Sequence, residues 1–227
     1  MTAALTDLTL SVAGRGEVSA VALRPPDCRF FLVLGHGAGA GMHHPFMETL
    51  AHALSDRGIG TLRYQFGYIE RGLRRPDPAH ILQSTVRAAV NSAGLIARDL
   101  PLFAGGKSMG GRMTSQAQAE KPFQGLKGIV FYGFPLHPIG QPATSRAEHL
   151  DRVRLPLLFF QGTRDRLAQR SLLLPVLERL GPAAQVEWLE EADHEFTLPR
   201  RSGMDREGVA QWLAERTLVW MALVANH

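Results

Sequence analysis

The sequence predicts an α/β fold: a mainly parallel, twisted sheet with helices on both faces, opened by an N-terminal β-hairpin. Three observations predict it. Short continuous apolar runs alternate with longer segments of helical period; the runs lack the polar alternation of a half-exposed strand; several of them end in glycine-rich or acidic turns. At 227 residues, 45% hydrophobic and 20% charged, the chain has the balance of a globular protein. One domain spanning residues 1–227, without a substantial cap, is the expectation.

Taken in order, Thr9–Val12 and Val18–Leu23 flank Gly14 and Gly16 and read as the opening hairpin. Phe30–Leu34 is an apolar run with the look of a strand buried on both faces, and it ends in the glycine-rich loop 35–41. Pro45–Arg57 places Phe46, Leu50, Ala53 and Leu54 on one helical face, with Gly58 as the stop. Thr61–Tyr64 is a short strand, and Gln65–Pro78 is a polar, arginine-rich connection. Ala79–Ile96 is a helix by period, Leu102–Ala104 a strand, and a further helix starts at Ser108 and runs to about Glu120. Ile129–Tyr132 and Leu157–Phe160 are buried strands separated by a proline-rich loop, Pro135–Pro142. Ser171–Leu180 reads as a helix, Val186–Leu189 as a strand, and Arg206–Val224 as a closing amphipathic helix. In a sheet of this kind the chemistry collects at the carboxyl ends of the strands.

The net charge of +4 is modest, and Arg71, Arg74 and Arg75 are the main basic cluster. No basic stripe interleaved with aromatics marks a nucleic-acid surface. Cys28 is the only cysteine, so an intramolecular disulfide is excluded. Met1–Val12 lacks a basic stretch followed by an apolar run, and Leu155–Phe160 is too short to cross a bilayer. A soluble, cytoplasmic protein without a membrane partner is therefore expected.

Gly106-Lys-Ser108-Met-Gly110 fits G-x-S-x-G between an apolar strand and a helix-forming segment. The spacing has a steric cause. A nucleophile on a sharp strand-to-helix turn needs neighbours without side chains, and the helix N-terminus beneath it favours developing negative charge. Ser108 then requires a base, and the base an orienting acid. His194 follows the strand Val186–Leu189 and Asp165 follows Leu157–Phe160, so both point to the same sheet end as Ser108. Asp193 and Glu190 are the competing carboxylates, although Asp193 is adjacent to His194 and adjacent side chains rarely face each other. An oxyanion would be held by the N–H of Met109 and by a second N–H from the loop 35–41, with Ala38 the first choice and Gly37 the next.

The same loop does not fit a phosphate-binding motif, because no G-K-[ST] ends it and no acidic residue closes the next strand. His36, His43 and His44 lack the spacing of a metal helix, so no metal is assigned, and acyl transfer by this residue set needs no cofactor. His36, Phe66, Lys107 and Leu136 are the candidate substrate contacts, with Tyr64 and Phe134 as further apolar lining. The loops 65–78 and 135–146 are expected to wall an open cleft.

Together the blocks Leu34-Gly-His-Gly-Ala-Gly39, His44-Pro-Phe-Met47, Gly105-Gly-Lys-Ser-Met-Gly-Gly-Arg112, Gln161-Gly-Thr-Arg-Asp165 and Asp193-His-Glu-Phe196 resemble the α/β-hydrolase superfamily over essentially the whole chain. With Arg63-Tyr-Gln-Phe66 and Arg74-Arg-Pro-Asp77 they are similar to its small, lid-poor branch, which includes dienelactone-hydrolase-like proteins and the testis-expressed protein 30 type. The resemblance implies a Ser-His-Asp triad on Ser108, His194 and Asp165, although dienelactone hydrolase itself uses a cysteine nucleophile where serine stands here. From the residue set, an esterase-like serine hydrolase acting on a small-molecule acyl substrate is expected, as a monomer or homodimer. The alternative the resemblance leaves open is a non-catalytic binding or scaffold protein of the same fold.

Overall fold

The apolar runs come together as one eight-stranded sheet, seen in a computed structural model that describes residues 2–226. Met1 and His227, the ends of the expected domain, lie outside the described residues. The strands are β1 (Ala4–Val12), β2 (Gly16–Arg24), β3 (Phe30–Gly35), β4 (Ile59–Tyr64), β5 (Leu102–Lys107), β6 (Leu126–Tyr132), β7 (Leu157–Gly162) and β8 (Ala184–Leu189). Their order across the sheet is β1-β2-β4-β3-β5-β6-β7-β8. The β1–β2 hairpin is antiparallel and joins β4 antiparallel; β3 to β8 run parallel.

The helices are α1 (Pro45–Ser55), α2 (Gly67–Glu70), α3 (Ala79–Ile96), α4 (Met109–Glu120), α5 (Arg170–Leu180) and α6 (Arg206–Ala225). Successive strand residues point to opposite faces, which divides the core in two. On one face Phe31, Val33, Phe131 and Phe159 pack under α3, α4 and α5 through Val86, Met113 and Leu173. On the other, Leu32, Leu34, Tyr132 and Phe160 pack under α1 and α6 through Leu50, Leu54, Leu213 and Met221. The parallel strands are apolar throughout because both faces are covered.

Several elements depart from the sequence reading for identifiable reasons. β1 begins at Ala4 rather than Thr9, because its outer half is an exposed edge and carries no apolar signal. β5 continues through Gly105, Gly106 and Lys107, past the expected strand Leu102–Ala104, because those residues also pair with β3 and β6. The connection 65–78 contains the short α2, and a 3₁₀ helix spans Ser145–Arg152. α6 is not cleanly amphipathic: Val219 and Leu223 are 56% and 57% exposed.

What positions the catalytic end of the sheet is the approach of β3 to the β5–α4 turn. A Cβ on Gly106 or on Gly110 would collide with the carbonyl of Gly35. Gly106 also sits at φ 155°, a conformation that side chains rarely adopt. Gly110→Ala is therefore expected to destabilise the protein by about 2 kcal/mol or more, since the colliding atom is backbone and cannot rotate away. A urea-denaturation midpoint equal to that of the unaltered protein would contradict this packing.

Candidate active site

Ser108 is the residue between β5 and α4, held at φ 51° and ψ −114°. For a non-glycine residue this conformation costs on the order of 1–3 kcal/mol and persists only where the surroundings enforce it. They do so from both sides: the Ser108 N–H donates to the Tyr132 carbonyl at 3.1 Å, and the Ser108 carbonyl accepts from the Arg112 N–H at 3.2 Å.

The turns after β7 and β8 deliver the partners. Ser108 Oγ lies 2.9 Å from His194 Nε2, and His194 Nδ1 lies 2.7 Å from Asp165 Oδ2. A carboxylate only accepts, so the Nδ1–H donates to Asp165 and Nε2 is left to accept from the serine hydroxyl. Asp165 is fully enclosed and fully satisfied: Oδ1 accepts from the Leu167 N–H at 2.7 Å, and Oδ2 also accepts from Gln161 Nε2. Gln161 is fixed in turn by the Phe134 N–H, which donates to its Oε1 at 3.0 Å.

The competing carboxylates are engaged elsewhere. Asp193 Oδ1 accepts from the N–H groups of Glu195 and Thr197 at 2.9 and 2.8 Å, which shapes the turn that carries His194. Glu190 lies at the surface, 3.8 Å from Arg170. A second serine–histidine contact, Ser115 Oγ to His149 Nε2 at 2.7 Å, lacks an acid. Burial, with Arg112 and Arg152 nearby, pushes the His149 pKa down to about 4.

The N–H groups of Met109 and Ala38 have no protein acceptor among the described residues. The loop that carries Ala38 is held from below. His36 Nδ1 lies 2.8 Å from the Gly37 carbonyl, and the Phe66 N–H donates to His36 Nε2 at 3.1 Å. The Nδ1–H therefore donates to Gly37, whose carbonyl shares a peptide plane with the Ala38 N–H. Tyr68 Oη donates to the Ala38 carbonyl at 2.6 Å.

A cavity of about 310 Å³ opens over Ser108, bounded by the loop 37–40, Phe46, Leu167 and Glu195. It adjoins one of about 480 Å³, with which it shares His44, Phe46 and Glu195. Among the described residues no group of three or more His, Cys, Asp or Glu could hold a metal ion, and no helix is long and apolar enough to cross a membrane.

Against known proteins, the alpha/beta hydrolase domain family matches residues 28–222. The chain belongs to that family. Solved structures with the same fold include dienelactone hydrolase from Anabaena variabilis, at 22% identity and TM-score 0.75 over 95% of this chain and 97% of that one. An esterase domain from a Rhodothermus marinus protein is similar at 17% identity and TM-score 0.72, over 96% and 97% of the two chains. A serine hydrolase without lid from Xanthomonas campestris is similar at 21% identity and TM-score 0.70, over 95% of each.

Within this α/β-hydrolase domain the expected substrate contacts divide. Lys107 lines the cleft, but His36, Phe66 and Leu136 are fully buried and do not. Phe66 packs edge-on to His36 and to Tyr64, and Leu136 belongs to the core beneath α4 and α5. The walls likewise come from the loop after β3 and the turns after β7 and β8, not from residues 65–78 and 135–146. Of the three loop histidines, His36 is the support just described. His43 faces Glu48 at 2.9 Å, and His44 caps α1 by accepting from the Phe46 N–H. Tyr68, Gln161 and Leu167 were not singled out from sequence. Gln161, a polar residue closing the apolar run of β7 four positions before Asp165, is the one that left a signal.

Burial pushes the His36 pKa down from 6.5 to about 4, so the native loop holds a neutral imidazole. Between those pH values the unfolded chain binds the extra proton. The stability tied to His36 is thus full above about pH 6.5 and lost as pH falls towards 4, on the order of 3 kcal/mol. Urea midpoints measured across that window should decline with acid, and His36→Gln should flatten the decline. An equally steep decline in His36→Gln would count against the neutral, doubly bonded ring.

Proposed function

We propose that the protein is an esterase-like serine hydrolase that cleaves small acyl esters or related carbonyl substrates through an acyl-enzyme. The observation that carries this reading is the unbroken hydrogen-bonded line Ser108–His194–Asp165, with the N–H groups of Met109 and Ala38 free of a protein acceptor among the described residues. Ser108 Oγ attacks the carbonyl carbon while His194 Nε2 takes its proton. Asp165 keeps the imidazole in the required tautomer and stabilises the imidazolium that forms. The Met109 and Ala38 N–H groups receive the developing oxyanion. His194 then protonates the leaving oxygen, and water repeats the sequence on the acyl-enzyme, releasing the acid and restoring Ser108.

The neighbours' names, an esterase domain and a serine hydrolase without lid, agree with this chemistry. The cleft of about 310 Å³ suits a small acyl group. A scaffold role fits less well, because strain at Ser108 is a cost that binding alone has no reason to retain.

Ser108→Ala is expected to lower turnover of short-chain p-nitrophenyl esters on the order of 10³-fold or more, with the fold intact by circular dichroism. Asp165→Asn should lower kcat by about 10³-fold or more, because its amide no longer demands the Nδ1–H tautomer. Ester cleavage undiminished in folded Ser108→Ala would sink the proposal.

A further inference from the structure

Lys107 carries a charge that none of these steps uses. It ends β5 immediately before Ser108, and its side chain is only 6% exposed. Lysine is almost never buried this far without compensation, because an unpaired ammonium loses its hydration. Its close contacts come from the turn that bears the histidine and from α1. Nζ donates to the His194 carbonyl at 2.8 Å and lies 3.6 Å from Glu195 Oε1. It also sits 6.0 and 5.8 Å from the ring centres of Phe46 and Phe196, which stack on each other at 5.9 Å.

The geometry is that of a tie. The His194 ring is fixed at Nδ1 by Asp165, from the turn after β7, and its own backbone is fixed by Lys107, from the strand that delivers the nucleophile. We infer that Lys107 is a positioning residue, whose ammonium binds the His194 turn to the Ser108 elbow and sets the charge against which His194 takes up its proton. The inference rests on the acyl-transfer reading of the site.

Two consequences follow from the chemistry. A base displaced by about 1 Å can cost 10²-fold in rate, so loss of the tie should appear in kcat more than in KM. The charge acts separately. Glu195, Asp165 and Asp193 are the acidic groups around Lys107; burial outweighs them and pushes its pKa down. Asp165 pairs with the His194 ring at Nδ1 and the Lys107 ammonium sits on the His194 carbonyl, with Glu195 62% exposed and so screened by solvent. Removing the ammonium makes protonation of the imidazole easier and moves the acid limb of the kcat/KM profile to higher pH.

The test compares unaltered protein, Lys107→Met, Lys107→Arg and Lys107→Gln on one p-nitrophenyl ester across pH, with fluorophosphonate labelling rates measured in parallel. Lys107→Met should lower kcat by about 30-fold with KM changed less than about threefold, slow labelling in step, and shift the acid limb upward. Lys107→Arg, which keeps charge and donor, should recover most of the rate and leave the limb in place. A Lys107→Met enzyme with unchanged kcat and limb overturns the inference. So does a loss that is equal at every pH and not restored by arginine, since that is the mark of a structural role only. If Lys107→Met does not fold, Lys107→Gln decides: it removes the charge and keeps a donor for the His194 carbonyl, so a limb moved to higher pH supports the inference and an unmoved limb overturns it. Unaltered protein that neither cleaves ester nor takes the label would overturn the acyl-transfer reading itself. An active unaltered protein with an indifferent Lys107→Met removes only the role of Lys107.

Discussion

The structure depends on one close approach, the carbonyl of Gly35 at the end of β3 lying against the backbone of Gly106 and Gly110. Only residues without a Cβ allow it. That contact forces the chain from β5 into α4 through a single residue, and so holds Ser108 at φ 51°. It also sets the loop after β3 beside Ser108, since both belong to the same packed junction. Strain at Ser108 and the placement of Ala38 are therefore two results of one steric fact.

Around this junction the parallel strands act as a common ruler. Ser108, Asp165 and His194 come from turns after β5, β7 and β8, and β6 lies between the first two. The gap left by β6 is closed by its own contributions: Tyr132 accepts from the Ser108 N–H, and the Phe134 N–H holds Gln161 against Asp165. Each polar group near the site is thus fixed by a second one, which limits the rotamer freedom of the first. The loop after β3 is built by the same logic from a different material. A buried neutral imidazole and a tyrosine hydroxyl orient its peptide groups, and Phe66 seals them from water.

Much of this was legible in the sequence because strand ends are where an α/β sheet concentrates its reactive side chains. Ser108, Asp165 and His194 could be picked from many serines, acids and nine histidines by position after an apolar run. The structure brings those three within hydrogen-bond distance of one another. What stayed hidden has physical causes. The exposed half of β1 has no apolar period to detect. His36 and Phe66 carry the residue types of a binding surface, yet their role is to pack, and composition does not distinguish the two. Gln161 acts by contacts to residues 134 and 165 that only the folded sheet brings together. Lys107 lines the cleft as expected of a candidate contact, but its bond to the carbonyl of His194, 87 positions further along the chain, has no signal in the sequence.

If Ser108 attacks while the Ala38 and Met109 N–H groups receive the oxyanion, a crystal structure of the protein after reaction with a small alkyl fluorophosphonate should contain a covalent bond from Ser108 Oγ to phosphorus and a phosphonyl oxygen within hydrogen-bond distance of both N–H groups. An adduct on Ser115 or elsewhere, or a phosphonyl oxygen turned away from both N–H groups, would contradict that chemistry.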